Sequence, residues 1–464
     1  MAYKRSHQRR LAQQQAAADL PAQTYTIESI DLEGQGVARH AGKVVFVSGA
    51  LTGERVRAQI TRTKHSYDKA RVIEVLEASS QRATPACAHF GVCGGCSLQH
   101  VALATQVAIK QRALEDQLQH LAKLSEYTLL APISGIGWGY RYRARLSVKY
   151  VAKKNTVLVG FHERANVYIA DIRSCPVLPP HVSNLLMPLR ELVGALSVRS
   201  AVPQIEVAVG EADTVLLMRH LEALTPTDTA HLSEFARTHS QPNHPLVWYT
   251  QSGNSDTVAP LDDKLPGNLH YALPAYGITM PFQVSDFTQV NPPMNRVLVS
   301  KALALLAPQA GERVLDLFCG LGNFTLPLAR TVGEHGFALG VEGSTALTTR
   351  AQANALHNGL HNTAFEARNL FEITTETVYD WGAFGAWLID PPREGAQAVC
   401  EAMLNLPASH RPRRMVYVSC NPATLARDAA IVCRTGLWRL SQAGIANMFP
   451  HTSHVESIAV FQRV

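Results

Sequence analysis

The last third of the chain alternates short apolar, β-branched runs with helical stretches, and each run ends in small or polar residues. Gly311-Glu-Arg-Val-Leu-Asp-Leu-Phe-Cys-Gly-Leu-Gly-Asn323 reads as a strand entering a glycine turn, followed by a helix over 324–329. Phe337-Ala-Leu-Gly-Val341 is a second strand, ending in Glu342, and 365–369 is a third. A fourth, Gly385-Ala-Trp-Leu-Ile389, ends in Asp390-Pro-Pro-Arg393. Strands that alternate with helices join by right-handed crossovers, so the pattern predicts an α/β fold with a mostly parallel, doubly wound sheet. Ligands of such sheets bind beyond the carboxyl ends of the strands, where these polar residues fall. Gly320 and Gly322 let a ligand approach the backbone, and Glu342 can accept hydrogen bonds from ribose hydroxyls.

A fifth strand lies in Arg414-Met-Val-Tyr-Val-Ser-Cys-Asn-Pro422. Asn421 is a good N-cap and Pro422 a good first helical residue, so a helix is expected over 423–432. Cys420 then stands at a strand end against a helix N-terminus, whose partial positive charge favours a thiolate. A lone cysteine is more often a small buried hydrophobe; it is the surroundings of this one that mark it as a nucleophile. Near the C-terminus, Glu456 sits among Phe449, Pro450 and Val455, which would bury it and raise its pKa as a base requires. His451 and His454 are the alternatives.

The front of the chain has a different texture. Residues 1–17, with Lys4, Arg5, Arg9 and Arg10, are expected to form a disordered basic arm. An Ala/Gln-rich stretch stands where a secretory signal would need an apolar segment. Over 18–80, glycine-punctuated runs at 25–30, 43–47, 54–60 and 69–76 predict a small, OB-like β-barrel. Residues 1–80 carry 12 Lys/Arg against 8 Asp/Glu. Basic small barrels commonly bind nucleic acid strands, and this one resembles a TRAM domain.

Three cysteines follow within ten residues, in Cys87-Ala-His-Phe-Gly-Val-Cys93-Gly-Gly-Cys96, and Cys175 lies far along in Arg173-Ser-Cys-Pro176. The spacing suits a four-thiolate [4Fe–4S] cluster or a Cys₄ zinc site equally. Five residues separate the first two cysteines, where radical S-adenosylmethionine enzymes place three. Four filled ligand positions leave none for substrate, so the role is structural. Eight cysteines in 464 residues are too few and too uneven for a disulfide scaffold, which points to a reducing cytoplasm. No apolar run is long enough to span a membrane. The net charge of +6 favours an acidic partner. An amphipathic helix is expected over 101–124, and Arg141, Arg143 and Arg145 form a basic stripe on one face of a strand at 140–150. Residues 81–275 thus make a central α+β domain and 276–464 the α/β domain.

The glycine turn with the downstream Asp390-Pro-Pro-Arg393 looks like a class I S-adenosylmethionine methyltransferase. With Phe287-Thr-Gln-Val-Asn291, Ser419-Cys-Asn-Pro422 and the 449–456 segment, the chain resembles the RNA uridine-5 methyltransferase family over nearly its whole length. In that family the barrel and four cysteines together mark the 23S rRNA enzymes. The resemblance implies Cys420 as nucleophile and Glu456 as base. It implies Gln289, Phe318, Asn323, Glu342, Asn369 and Asp390 around S-adenosylmethionine, and an iron–sulfur cluster on Cys87, Cys93, Cys96 and Cys175. It further implies a cytoplasmic monomer, with helix 101–124 packed on the catalytic domain. Asn447 departs from the family, which usually has Asp there. Transfer to tRNA, to two rRNA sites or to cytosine, and an inactive RNA-binding protein, are the alternatives. The chemistry explains the residue set: C5 of uracil is too weak a nucleophile until a thiolate adds at C6, and a base must then remove the C5 proton.

Overall fold

The computed structural model describes residues 21–164 and 166–464; the expected arm at 1–17 lies outside the described residues. Contacts divide the chain into two units. One holds the described residues up to Gly91, with Gly95–Ala113 and Pro450–His454. The other holds Val92–Gly94, Leu114–Phe449 and Val455–Val464.

In the first unit, β1 (Gln23–Thr26), β2 (Ser29–Ile30), β3 (Gln35–His40), β4 (Lys43–Ser48), β5 (Arg55–Thr63) and β6 (Tyr67–Glu77) form one sheet, ordered β1-β5-β6-β4-β3-β2. Val56, Ala58 and Ile60 alternate inward along β5, and the first two join Tyr25, Ile27, Val45 and Val47 in the core. The single strand expected at 25–30 is two, because the chain changes partner: Ile27 N donates to Glu54 O and Glu28 N to Val37 O. Of the basic residues, Arg55 and Arg57 are paired across the ladder with Glu77 and Glu74. Arg62, Lys64 and Arg71 stay exposed and carry no carboxylate partner among the described residues. The helix expected at 101–124 runs over Leu103–His120.

The second unit contains two large sheets. β7 (Thr128–Leu129) belongs to the later one. β8 (Arg143–Val151), β9 (Thr156–Gly160), β10 (Gln204–Val209), β11 (Thr214–Arg219), β12 (Leu246–Gln251) and β13 (Val258–Pro260) form a sheet ordered β13-β12-β11-β10-β8-β9. The arginine stripe on β8 is not a uniform outer face. Arg145 is exposed and pairs with Glu206, but Arg143 turns inward: its Nη2 donates to Val284 O (2.8 Å) and Asp286 O (2.9 Å). With Tyr142 N donating to Val290 O (2.8 Å), β8 thereby holds the segment that carries Gln289.

A hairpin, β14 (His270–Leu273) and β15 (Ile278–Pro281), leads to the doubly wound sheet. Its strands are β16 (Arg313–Leu317), β17 (Phe337–Glu342), β18 (Thr363–Ala367), β19 (Ala386–Ile389), β20 (Arg414–Ser419), β21 (Trp438–Ala446) and β22 (Glu456–Arg463), with β7 at one edge. The order is β18-β17-β16-β19-β20-β22-β21-β7. β18 to β20 pair in parallel, and β22 runs antiparallel between β20 and β21. Strands buried on both faces explain the near-continuous apolar runs of β16, β19 and β20. Among the described residues no helix is long and apolar enough to cross a membrane.

Candidate active site

The polar ends of β16, β17, β19 and β20 lie along one edge of the parallel sheet. Ser419 closes β20 opposite Ser457, the second residue of β22, so Cys420 and Glu456 leave the ladder side by side. Asn421 caps the helix Pro422–Cys433, its Oδ1 accepting from Ala423 N (3.1 Å). Its Nδ2 donates to Arg393 O (3.1 Å), tying the Cys420 turn to the loop after β19.

The electrostatics overturn one expectation. The Cys420 thiol is not lowered by the helix terminus; it is pushed up to about 11. Burial is the main cause, and the carboxyls of Glu456 and Asp390 add to it against the opposing charge of Arg393. Burial, then Asp390, also raises Glu456 well above the usual carboxylate range. Asp390 is itself raised to about 7 by burial. In the free protein both shifts favour the neutral forms, thiol and glutamic acid. The two alternative bases lie in the other unit. There His451 N donates to Gln106 Oε1 (2.8 Å), its Nδ1 faces Gln106 Nε2 (3.1 Å), and its carbonyl accepts from Ser97 and Leu98.

The six residues expected at the methyl donor all lie in the second unit. Phe318, directly after β16, has φ 65°, a left-handed conformation that costs a non-glycine residue of order 1 kcal/mol or more. Its N–H donates to Val341 O (2.8 Å), and its ring stands 5.7 Å from that of Phe371. Glu342 ends β17; its Oε2 accepts from Gly320 N (3.2 Å) and its Oε1 from Ser344 N (3.1 Å). Asn369 is exposed two residues past β18, with its Oδ1 accepting from Phe371 N. Gln289 lines a small cavity with Tyr271 and Asn295. Asn323 is locked by a reciprocal pair with Asn295 (2.8 and 3.0 Å) and by the Tyr271 hydroxyl (2.9 Å). Sequence reasoning missed Asn295, Tyr271 and Asp428; the only available signal was Asn295 lying one helical turn after the cap Asn291.

These residues fit a cationic ligand. Asp316 is buried, its Oδ2 accepts from Thr325 Oγ1, and its Oδ1 has no partner. Burial raises it to about 8; the Thr325 bond opposes this, and Asp390 and Glu342 add to it. A group bringing positive charge and N–H donors would satisfy that oxygen. Beside it, a Cβ on Gly320 would meet nothing within 4 Å, so the turn leaves open space.

The four candidate cluster cysteines are thiols. Cys87 O accepts from Phe90 N (3.1 Å) in a tight turn, and Cys175 N donates to Ser183 Oγ (2.9 Å). A Cβ on Gly94 would lie 3.1 Å from His162 O, a tight contact that favours glycine beside Cys93. The donor chemistry fits an iron–sulfur cluster, yet among the described residues no group of three or more His, Cys, Asp or Glu is arranged to hold a metal ion.

An open sheet of this order, with its polar residues at the strand ends, defines an S-adenosylmethionine-dependent methyltransferase. The chain is similar throughout to the crystal structure of Pyrococcus abyssi tRNA (uracil-54, C5)-methyltransferase in complex with S-adenosyl-L-homocysteine, with TM-score 0.70, 21% identity, and 95% of this chain and 100% of that one covered. The profile of the tRNA (Uracil-5-)-methyltransferase family matches residues 272–464, and that of the TRAM domain matches 23–73. The 23S rRNA (uracil(1939)-C(5))-methyltransferase RlmD of Ralstonia pickettii is 55% identical over 94% of this chain and 98% of its own length. The RlmD of Bordetella bronchiseptica is 56% identical over 94% of this chain and 92% of its own. The chain belongs to the RlmD family of 23S rRNA uracil-C5 methyltransferases.

Proposed function

We propose that this protein methylates C5 of one uridine of 23S rRNA, the position named for its relatives, as a cytoplasmic monomer. The observation that carries the reading is the β20–β22 rung that leaves Cys420 and Glu456 side by side next to Asp390. Cys420 is the nucleophile. Its thiolate adds to C6 of the uracil, and the electron pair moves to O4 and C5 as an enolate. S-adenosylmethionine supplies the methyl group to C5. Glu456 takes the C5 proton, the pair returns to C6, and the C–S bond breaks. Burial favours the neutral form of both groups in the free protein, so Cys420 and Glu456 must each release a proton to solvent before attack; at the end Glu456 holds the C5 proton, the expelled thiolate regains one from solvent, and one proton is released net. A sulfonium among Asp316, Glu342 and Asp390 would favour that ionisation by opposing their mutual repulsion. Gln289, Phe318, Asn323, Glu342, Asn369 and Asp390 would hold the donor.

The finer divisions belong to the same reading: a TRAM barrel over 18–80, a central domain over 81–275 and a catalytic domain over 276–464. Cys87, Cys93, Cys96 and Cys175 carry a structural [4Fe–4S] cluster, supported by the four-thiol donor set, and no step of the reaction passes through it. The test is methylation of unmodified 23S rRNA by the full-length protein with labelled S-adenosylmethionine, followed by mapping of 5-methyluridine. One modified uridine is expected. Label in tRNA alone, or in 5-methylcytidine, would overturn the assignment.

A further inference from the structure

A cavity of about 200 Å³ opens in the second unit, on the far side of the wall that Tyr142 and Tyr271 share with the Gln289 cavity. None of the six residues expected at the methyl donor lines it. Its polar lining is Glu211, His244, His270 and Arg296. Arg296 Nε donates to Ala272 O (3.0 Å) and its Nη2 to Glu211 Oε1, an oxygen that also accepts from Ala272 N (2.8 Å). Glu211 Oε2 and Arg296 Nη1 are left without a protein partner among the described residues. His270 Nδ1 lies 3.2 Å from Asn268 O and so carries the proton, which leaves Nε2 an acceptor. His244 stacks on His181, with centroids 4.4 Å apart and planes 3° from parallel. His181 is fixed in turn by Thr214 Oγ1 (3.1 Å). His244 Nδ1 is buried with no hydrogen-bond partner.

We propose that this cavity takes a nucleobase of the RNA other than the target uracil. The volume falls below the roughly 300–1,000 Å³ of pockets that enclose drug-sized ligands, and suits a single ring system. Tyr142, Tyr271 and His244 supply flat faces, the usual means of holding an unstacked base. A carboxylate acceptor beside a guanidinium donor matches the edge of a base, which alternates acceptors and donors. A phosphate fits poorly, because Glu211 already neutralises Arg296. The Tyr271 hydroxyl holds Asn323, so a base in the cavity packs against a residue that orients the donor set. The inference rests on the reading that RNA is the substrate.

The test uses full-length protein and a 23S rRNA transcript that the unaltered protein methylates. Glu211→Gln keeps the shape of the side chain, and His244→Phe keeps the stack on His181. Each is expected to raise the Kd for the transcript about tenfold, the effect of one lost hydrogen bond to a charged or buried group, with the Kd for S-adenosylmethionine unchanged. Transcripts with single abasic nucleotides then identify the base. Its removal should weaken binding to the unaltered protein more than it weakens binding to Glu211→Gln, which has already lost the carboxylate contact and keeps only the stacking. Unchanged transcript binding by both variants overturns the proposal, and so does an equal loss of donor affinity, which would make the cavity part of the donor site. An unaltered protein that neither binds nor methylates the transcript takes down the functional reading as well.

Discussion

Ser419 and Ser457 face each other across the β20–β22 ladder, and that one rung delivers Cys420 and Glu456 to the same point from opposite chain directions. In the proposed reaction the two side chains have separate tasks, so their loss should look different. Cys420→Ala removes the nucleophile and should abolish both adduct and product. Glu456→Gln leaves attack and methyl transfer possible and blocks proton removal from C5. A methylated RNA–protein adduct should then accumulate and survive denaturing electrophoresis with label from the donor. Normal turnover by Glu456→Gln would assign the base elsewhere.

Asp316 and Asp390 give the ligand-free protein a defined pH dependence. Their folded pKa values of about 8 and about 7 lie above the ordinary carboxylate value, so between pH 4 and 8 the native state binds more protons than the unfolded one. Stability contributed by the neutral acids is complete below pH 4 and is lost as pH rises through 7 and 8. Thermal unfolding of the ligand-free protein should therefore move to lower temperature between pH 5 and 8. Asp316→Asn cannot ionise and should flatten that slope. An equal slope in the variant would show that Asp316 does not titrate there.

If Cys87, Cys93, Cys96 and Cys175 carry the proposed cluster, protein purified without oxygen should be brown and contain iron and acid-labile sulfide. Stoichiometric zinc without iron would replace the cluster with a zinc site and leave the methyl-transfer chemistry untouched.

Asn291 joins two segments. Its Oδ1 accepts from Met294 N (3.2 Å) to cap the helix Pro292–Leu306, and its Nδ2 donates to Met448 O (3.0 Å). Asn291→Ala loses the cap and leaves a buried carbonyl unpaired, which should cost about 2–3 kcal/mol in urea unfolding. Asn291→Asp keeps the cap acceptor and should recover part of that. Equal losses in the two variants would count against the capping role.

The catalytic sheet was legible because its signals are local: an apolar run, then a glycine turn or a Pro-capped helix. Cys420 is marked by the same kind of signal, whereas Glu456 rests on its apolar neighbours and on the family resemblance. β3 was passed over because Gln35-Gly-Val-Ala-Arg-His40 has a glycine and polar ends, and it is made a strand by pairing with β4 rather than by its own propensity. The protonation of Cys420 was misread because the helix terminus is visible in sequence, whereas the burial and the carboxyls of Asp390 and Glu456 that outweigh it are brought there only by folding. The Asn295–Asn323 pair was invisible for a similar reason: two asparagines 28 residues apart carry no periodic signal.

Asp428 bears on how the site can move. It is buried, and its Oδ2 accepts from the Tyr417 hydroxyl (2.7 Å) and from Ala396 N (2.7 Å), while its Oδ1 pairs with Arg427. Arg427 and Thr424 reach back to the carbonyls of Glu394 and Arg393. One carboxylate thereby clamps the loop that follows Asp390 to the helix that follows Cys420. The segments that follow β19 and β20 are held to one another. On the proposed reading, a base enters and the methylated product leaves by movement of segments other than these two.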